Sequence, residues 1–373
     1  MEDLAKSTDI SDITLASSRF EPGKQGVGKL ETRNRTDDPL DGYIDIYQRV
    51  FLQPGAFDNL TNLPQLYHQY RASAGNVSEH ILPYEPYPTG LRRSDAPRDI
   101  STETEGDGIV LVVHVLQGPN GQVEKMSVCS GFAIGTAKSD EGQDTALESD
   151  TIVTCAHTLE EINRHLREPF AAMQPSCSFI IPSEGKPRLI ASAQSSLPRS
   201  DLLVLSTVPT KRKPLTTLPV SPFPLAVGNG ILTHIFGSPD VPSIMRSKNR
   251  RTAAGFAVTS GPAEVEEPIN WLEGKAWRRW AQGEFLGYRS YTGQEVEAGT
   301  SSQLPHLLTS ILPTHGSSGG PIIDSTTGAV VGMTSGRRMD NRVEGERGWG
   351  AAAEGIFEMF ALPGFVPASK RIR

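Results

Sequence analysis

Cysteine is scarce in this sequence, which has three among 373 residues. An odd number of cysteines in a chain this long is not the disulfide framework of a small secreted domain. The three residues are Cys129, Cys155 and Cys177. This composition fits a protein of a reducing compartment.

Targeting and membrane-spanning signals are missing as well. The opening residues MEDLAKSTDI are acidic and have no apolar core, which excludes a secretory signal and a mitochondrial presequence. No apolar run is long enough to span a membrane. We therefore expect an intracellular protein, most simply cytoplasmic, with no membrane partner.

Positive charge is also in deficit. The chain carries 36 Lys and Arg against 43 Asp and Glu, which gives a formal net charge of -7. Proteins that bind nucleic acid usually carry a basic surface, so we expect no nucleic-acid partner. Two short basic runs, 210–214 and 246–251, fit solvated loops better than localisation signals, although they leave a nuclear location open.

Apolar residues are unevenly distributed along the chain. Residues 1–105 are polar and punctuated by Pro and Gly, which is typical of a partly ordered N-terminal extension with one short helix near 64–72. From residue 106 onward, short β-branched, apolar segments alternate with turn signals, a pattern typical of an all-β sandwich or barrel. The proline-rich crossing 208–224 separates these segments into two groups, which predicts two barrels.

The segment THGSSGGPIID (314–324) places two serines among three glycines. It could be a flexible turn. It could also present Ser318 as a nucleophile, since glycines permit a tight backbone whose N–H groups can receive an oxyanion. The choice depends on whether the chain offers this serine a base and an acid.

Two residues fit those roles. His157 ends the apolar segment TIVTCAH at a strand-to-helix turn, a setting that no other histidine of the chain shares. Asp201 opens the apolar segment DLLVL. The order His157, Asp201, Ser318 is that of the chymotrypsin architecture, whereas the α/β-hydrolase order needs a histidine after the serine. No histidine follows Ser318, so the hydrolase alternative fails.

At these residues the sequence resembles the trypsin-like serine proteases, specifically the HtrA/Deg branch, over about 106–362. TIVTCAHTL is similar to the family's histidine segment, SDLLVL to its aspartate strand, and THGSSGGPIID with GAVVGMTSG to its serine segment. The resemblance implies an all-β, chymotrypsin-like fold of two six-stranded antiparallel β-barrels. It also implies hydrolysis of peptide bonds in protein or peptide substrates through an acyl-enzyme, with no metal and no cofactor.

The resemblance assigns a role to each site residue. Ser318 attacks the peptide carbonyl, His157 takes its proton, and Asp201 holds the imidazole in the right tautomer. The backbone N–H groups of Gly316 and Ser318 form the oxyanion hole. Ser335 matches a position that makes an additional contact near the aspartate.

The specificity pocket is also placed by the resemblance. Its floor lies six residues before the nucleophile, at Leu312, and its far wall includes 350–353. The candidate substrate-binding residues are Leu312, Pro313, His315, Ser335 and Gly336. None of them is acidic, and an unpaired ammonium in an apolar pocket is costly, so we expect a small or medium apolar residue before the scissile bond. The alternative is an acid that reaches the pocket from elsewhere, with Glu354 on the far wall as the nearest candidate.

The domain boundaries follow from the same patterns. The protease domain is expected over 106–365, with barrel one at 106–215, barrel two at 222–362 and a short helix at 353–360. The interval 262–305 holds three of the four tryptophans and is expected to be an insertion, either a mobile flap or a packed surface loop. The sequence does not indicate the oligomeric state.

Three features depart from the family pattern. Ser317 stands where digestive trypsins have an acid, so we do not expect activation by a newly cut, charged N-terminus. Cys155 occupies a place usually filled by a small residue. The chain ends at Arg373, so we expect no PDZ domain. A catalytically silent binding protein of the same fold, a pseudoprotease whose cleft is blocked by the extension or the insertion, is the alternative.

Overall fold

Strands dominate the part of the chain that the computed structural model describes. The described residues are 61–82, 108–118, 123–136, 149–166, 176–183, 185–236, 278–297, 305–341 and 344–361. Their helices are α1 (Leu63–Ala72), α2 (His157–Asn163) and α3 (Ala353–Glu358). Their strands are β1 (Ser78–Ile81), β2 (Ile109–Gln117), β3 (Val123–Ile134), β4 (Thr151–Cys155), β5 (Ser176–Pro182), β6 (Arg188–Leu197), β7 (Leu202–Thr207), β8 (Gly230–Phe236), β9 (Arg278–Arg289), β10 (Glu295–Val296), β11 (His306–Thr309), β12 (Pro321–Asp324), β13 (Val330–Asn341), β14 (Gly345–Ala352) and β15 (Phe360–Ala361).

Barrel one is a closed antiparallel sheet in the order β2-β3-β4-β7-β6-β5, with β5 returning to β2. Strands β2, β4, β5 and β7 are buried at every position. Because both faces of these strands are covered, continuous apolar runs mark them in the sequence, rather than an alternation of apolar and polar residues. The predicted strands of this half are confirmed.

Barrel two contains β8, β9, β11, β14, β13 and β12, and the pairing of β9 with β8 closes it. The short strand β10 pairs with the outer edge of β9. The chain therefore has the expected all-β fold of two six-stranded antiparallel barrels. Helix α3 follows β14 at the place where a C-terminal helix was expected.

The interval 262–305 is not wholly an insertion, which corrects the sequence-based expectation. Its residues Arg278–Arg289 form β9, a full member of barrel two that pairs with β8 and with β11. The segment RRWAQGEFLGYR resembles a polar loop because, among its described side chains, only Phe285 and Tyr288 are buried large apolar ones. The apolar segment 251–261, which belongs to the second group of segments and is also expected to form a strand, lies outside the described residues.

Part of the N-terminal extension packs on barrel one. Helix α1, expected near 64–72, begins with a capping box between Asn62 and Gln65 and buries Leu63, Leu66 and Tyr70. Strand β1 pairs in parallel with β15, next to α3. No helix among the described residues has the length and apolarity needed to cross a membrane.

The crossing between the barrels contacts both of them. Leu218 donates its N–H to the carbonyl of Ala133 in β3 at 2.9 Å, and Val330 in β13 donates to the carbonyl of Pro219 at 2.7 Å. The buried cluster of barrel one also takes in Ile323 and Val330 of barrel two. These contacts fix the face along which the two barrels meet.

Barrel one contains a titratable group that no charge balances. His114 in β2 is fully buried, and its Nδ1 lies 2.7 Å from the hydroxyl of Ser178. Burial lowers the pKa of His114 from 6.5 to about 4, because the charged form loses its hydration. The unfolded chain therefore binds a proton here before the folded protein does, and stability falls as the pH drops from 6.5 towards 4.

We predict that His114 lowers the free energy of unfolding by about 2 kcal/mol between pH 7 and pH 4.5. Urea unfolding at both pH values measures this loss. His114→Asn should remove that part of the pH dependence, whereas His165→Asn, a change at an exposed histidine, should leave it intact. An unchanged pH dependence in His114→Asn would contradict the prediction.

Candidate active site

The three candidate residues come from both barrels. His157 begins α2 directly after β4, and Asp201 directly precedes β7. Strands β4 and β7 are paired with Cys155 opposite Leu202, which brings His157 and Asp201 together at one end of barrel one. Ser318 lies in the loop 314–320 before β12 of barrel two, here named the serine loop.

Asp201 is held in a backbone conformation that aims its carboxylate at His157. Its φ of 58° is the only positive value among the described non-glycine residues, and Asp is one of the few residues that tolerate this region. The Oδ1 atom accepts hydrogen bonds from the backbone N–H groups of Ala156 at 2.9 Å and His157 at 2.8 Å. The Oδ2 atom lies 2.7 Å from Nδ1 of His157.

This geometry assigns the ring of His157 a role. With its proton on Nδ1 and bonded to the carboxylate, the neutral ring keeps the lone pair on Nε2. Burial lowers the pKa of His157, but the hydrogen bond and the charge of Asp201 raise it more strongly, to about 9. The ring is therefore oriented and holds a proton more tightly than an ordinary histidine, and only its neutral form, which grows as the pH rises towards 9, can accept a proton on Nε2.

The serine loop is pinned against barrel one by Ser130 of β3. The N–H of Ser130 donates to the carbonyl of Ser318 at 2.8 Å, and its hydroxyl donates to the carbonyl of Gly316 at 2.7 Å. Gly319 has φ +86°, and a Cβ there would lie 2.0 Å from the carbonyl oxygen of Ser130 and 3.0 Å from the N of Cys155. Only glycine permits so close an approach to the strand end that carries His157.

The hydroxyl of Ser318 donates to the carbonyl of Ser335 at 3.1 Å. The structure thus joins His157 to Asp201 directly and sets Ser318 in a loop packed against the end of β4, without a hydrogen bond from Ser318 to His157. Such bonds are often long or misaligned before substrate binds. The Oγ of Ser335 is buried and makes no hydrogen bond within the described chain, so its contact near Asp201 is not formed.

Two backbone N–H groups of the serine loop are available to bind an oxyanion. Gly316 has φ +83°, and its carbonyl is fixed by Ser130. Across the described ranges, the N–H groups of Gly316 and Ser318 have no acceptor, whereas those of Ser317, Gly319 and Gly320 do. Preorganised N–H groups without an internal partner are what a developing oxyanion requires.

Neutral hydroxyl groups of the serine loop bond it to the end of β8. Ser317 is fully buried, and its Oγ accepts the N–H of Phe236 at 2.8 Å. The hydroxyl of Thr314 donates to the carbonyl of Phe236 at 2.6 Å and lies 2.8 Å from Oγ of Ser317. This network fills, without charge, the position where digestive trypsins have an acid.

The residues expected to line the pocket differ widely in exposure. Leu312 is 39% exposed and Pro313 is buried. Arg337 in β13 donates from Nε to the carbonyl of Pro313 at 2.9 Å, and its Nη1 lies 3.9 Å from Glu346. This guanidinium therefore ties β13 to the residue before the serine loop and lies near β14. His315 is exposed, and Gly336 is half-buried.

Sequence reasoning missed the positioning residues Ser130, Thr314 and Arg337. Ser130 is 186 residues from Gly316, so no local pattern reveals the contact. Thr314 and Arg337 likewise act through partners that only the folded chain brings near.

The donor atoms of Cys155, His157 and Asp201 lie within 4.8 Å of one another, which is close enough for them to hold a metal ion.

Comparison with known proteins gives one family match. Residues 129–333, more than half of the chain, match the family described as trypsin-like peptidase domain. The structure is similar to the Rv3671c protease of M. tuberculosis in its active form, with 15% identity and a TM-score of 0.40, over 77% of this chain and 91% of that chain. An inactive mutant of the same protease matches with 14% identity and a TM-score of 0.37, over 74% and 93%. TM-scores this low bear on neither fold nor activity. No curated protein matches the sequence.

The contact between His157 and Asp201 predicts an unusual titration. We expect the ring of His157 to titrate well above 6.5, towards 9, in an NMR pH titration of its Cε1–H resonance. Asp201→Asn removes the charge and leaves the effect of burial, so the midpoint should fall to 6.5 or below. Glu161→Gln, which removes a charge with a smaller effect on this pKa, should shift it only slightly. A wild-type midpoint at or below 6.5 would show that the carboxylate does not control this ring.

Proposed function

The chain belongs to the trypsin-like peptidase family, and from this premise we propose that it is a serine endopeptidase that cleaves peptide bonds in protein substrates. The observation that carries the proposal is the set of three hydrogen bonds to the carboxylate of Asp201. These bonds orient the base His157 beside the loop of Ser318. A carboxylate, an imidazole and a serine in this order are the parts of acyl transfer by a triad.

The proposed reaction has two halves. The hydroxyl of Ser318 turns from the carbonyl of Ser335 to Nε2 of His157, gives up its proton and attacks the substrate carbonyl carbon. The oxyanion is stabilised by the N–H groups of Gly316 and Ser318. The protonated His157 then donates its proton to the leaving amine, and the acyl-enzyme on Ser318 remains. Water, deprotonated by His157, hydrolyses the ester and restores the serine.

We also propose the branch of the family to which the chain belongs, its location in the cell and the form in which it is active. The serine segment and the SDLLVL strand favour the HtrA/Deg branch among trypsin-like proteases, and the sequence favours an intracellular, cytoplasmic protein. The neutral contacts of Ser317 with Phe236 and Thr314 support a serine loop that is ordered without a charged N-terminus. We therefore propose that the uncut chain is already competent, with a protease domain spanning 106–365.

One observation favours the pseudoprotease alternative. The hydroxyl of Ser318 donates to the carbonyl of Ser335 rather than to His157. If that bond persisted when substrate bound, the serine would not be activated, and the cleft would serve only for binding. Covalent labelling separates the two functions because a fluorophosphonate reacts only with an activated serine.

We expect a fluorophosphonate probe to label the full-length wild-type protein at Ser318. Ser318→Ala should abolish labelling and reduce peptide hydrolysis by about 10⁴- to 10⁶-fold, since triad members act as a unit. Ser325→Ala is the matched control and should be labelled normally. Ser325 directly follows β12, the strand that comes after the serine loop. Folded wild-type protein that stays unlabelled, or Ser318→Ala that keeps more than a few per cent of the turnover, would contradict the proposal.

For the substrate, we propose a small or medium apolar residue before the scissile bond. The candidate pocket residues carry no carboxylate. Because Arg337 bonds to the carbonyl of Pro313 and lies near Glu346, we propose that its side chain limits the depth of the pocket. Each methylene group that fits is worth about 0.8 kcal/mol, which sets the scale of discrimination between Ala and Leu.

Cleavage of a peptide library measures this preference. Wild-type protein should prefer Ala, Val, Leu or Met, and Arg337→Ala should shift the preference towards larger side chains by about tenfold. Arg338→Ala, whose guanidinium instead stacks on Trp349, is the control and should leave the profile unchanged. A dominant preference for Lys or Arg would contradict the apolar pocket. So would an acidic preference that Arg337→Ala removes, because Arg337 would then bind the substrate carboxylate.

A further inference from the structure

Cys155 places a thiol beside the catalytic base. It is the last residue of β4 and is fully buried, and its Sγ lies 3.9 Å from Nε2 of His157. The proposed reaction gives this sulfur no task. The nitrogen it approaches is the one that must take the proton of Ser318, so whatever occupies the space between Sγ and Nε2 controls the base.

The atoms around His157 divide into two sets. Both oxygens of Asp201 are occupied by three N–H donors, from Ala156 and from the backbone and ring of His157. Asp201 therefore holds the ring from behind and is not free to bind an ion. The thiol of Cys155 and Nε2 of His157 remain as donors, in a group of ligand atoms that spans less than 4.8 Å. A histidine whose second nitrogen is held by a carboxylate is a frequent arrangement at zinc sites.

The spacing suits one class of ion. Tetrahedral zinc, with bonds of about 2.3 Å to sulfur and about 2.0 Å to nitrogen, separates these two donors by about 3.5 Å. The observed 3.9 Å between Sγ and Nε2 is close to this value, so small side-chain rotations suffice. Thiolate and imidazole favour zinc over magnesium or calcium, which prefer oxygen ligands.

We propose that Cys155 and His157 form an inhibitory zinc site within the active site. The ion enters past the ring of His157, which is 44% exposed, and binds Sγ and Nε2, with solvent completing its coordination. Binding releases the thiol proton of Cys155 to solvent and, where the ring of His157 is protonated, the proton on Nε2 as well. Because Nε2 is then occupied, His157 no longer accepts a proton from Ser318. The inhibitory effect rests on the proposed peptidase function, whereas the binding of metal does not.

Cobalt(II) and zinc(II) test the site without any need for activity. Metal-free wild-type protein titrated with cobalt(II) should show a sulfur-to-metal charge-transfer band that zinc abolishes. Cys155→Ala should lose the band and weaken zinc binding, measured by calorimetry, at least tenfold. Asp201→Asn should weaken it about 10- to 100-fold, since the carboxylate orients the ligand. Cys177→Ala, which removes a buried thiol of β5, is the control and should change neither measurement.

The inhibitory effect is then measured by labelling. Zinc should slow fluorophosphonate labelling of the wild type, a chelator should restore it, and Cys155→Ala should need at least tenfold more zinc. Cys155→Ser, which keeps the size of the side chain, replaces Cys155→Ala if that variant does not fold. A cobalt band that persists in Cys155→Ala, or an absence of any band in the wild type, would overturn the site. A metal-free wild type that is not labelled would instead count against the proposed peptidase, and the cobalt spectrum alone would then judge the metal site.

Discussion

The contact between Ser130 of β3 and the serine loop is the constraint on which the site depends. His157 and Asp201 belong to barrel one and Ser318 to barrel two, so the distance between base and serine is set where the barrels meet. Two hydrogen bonds from Ser130 and the missing Cβ of Gly319 fix that distance. The same two bonds orient the carbonyl groups of Gly316 and Ser318, and their N–H groups stay available.

The two barrels stabilise their parts of the site in different ways. Barrel one uses the charge of a carboxylate, and barrel two uses neutral hydroxyl groups. In barrel one, the charge of Asp201 is balanced by three N–H donors and raises the pKa of His157 to about 9 against the opposing effect of burial. In barrel two, the buried hydroxyls of Ser317 and Thr314 stabilise the serine loop without any ion. A buried charge needs a partner and is costly when the partner is absent. The neutral hydroxyl groups find their hydrogen-bond partners within the chain. The serine loop can therefore become ordered as the protein folds.

Sequence patterns predict most of this fold, most clearly where burial is two-sided, and fail at β9. Strands β2, β4 and β7 are continuous apolar runs and are evident from the sequence, as is the amphipathic helix α1. Strand β9 was hidden because its charged and glycine residues obscure the alternation, so its interval was interpreted as an insertion. For the site, His157 and Asp201 were placed together from local segments. Ser130 and Arg337 could not be predicted because each acts on a partner distant in sequence.

The central claim is that Ser318 becomes the covalent nucleophile when substrate fills the cleft. An acid quench during turnover of an activated ester, followed by peptide mapping in a mass spectrometer, tests it most directly. We expect the acyl group on the peptide that contains Ser318, and a smaller amount in Asp201→Asn because the base is then poorly oriented. An acyl group on another residue, such as Cys155, or turnover without any acyl-enzyme would contradict the account.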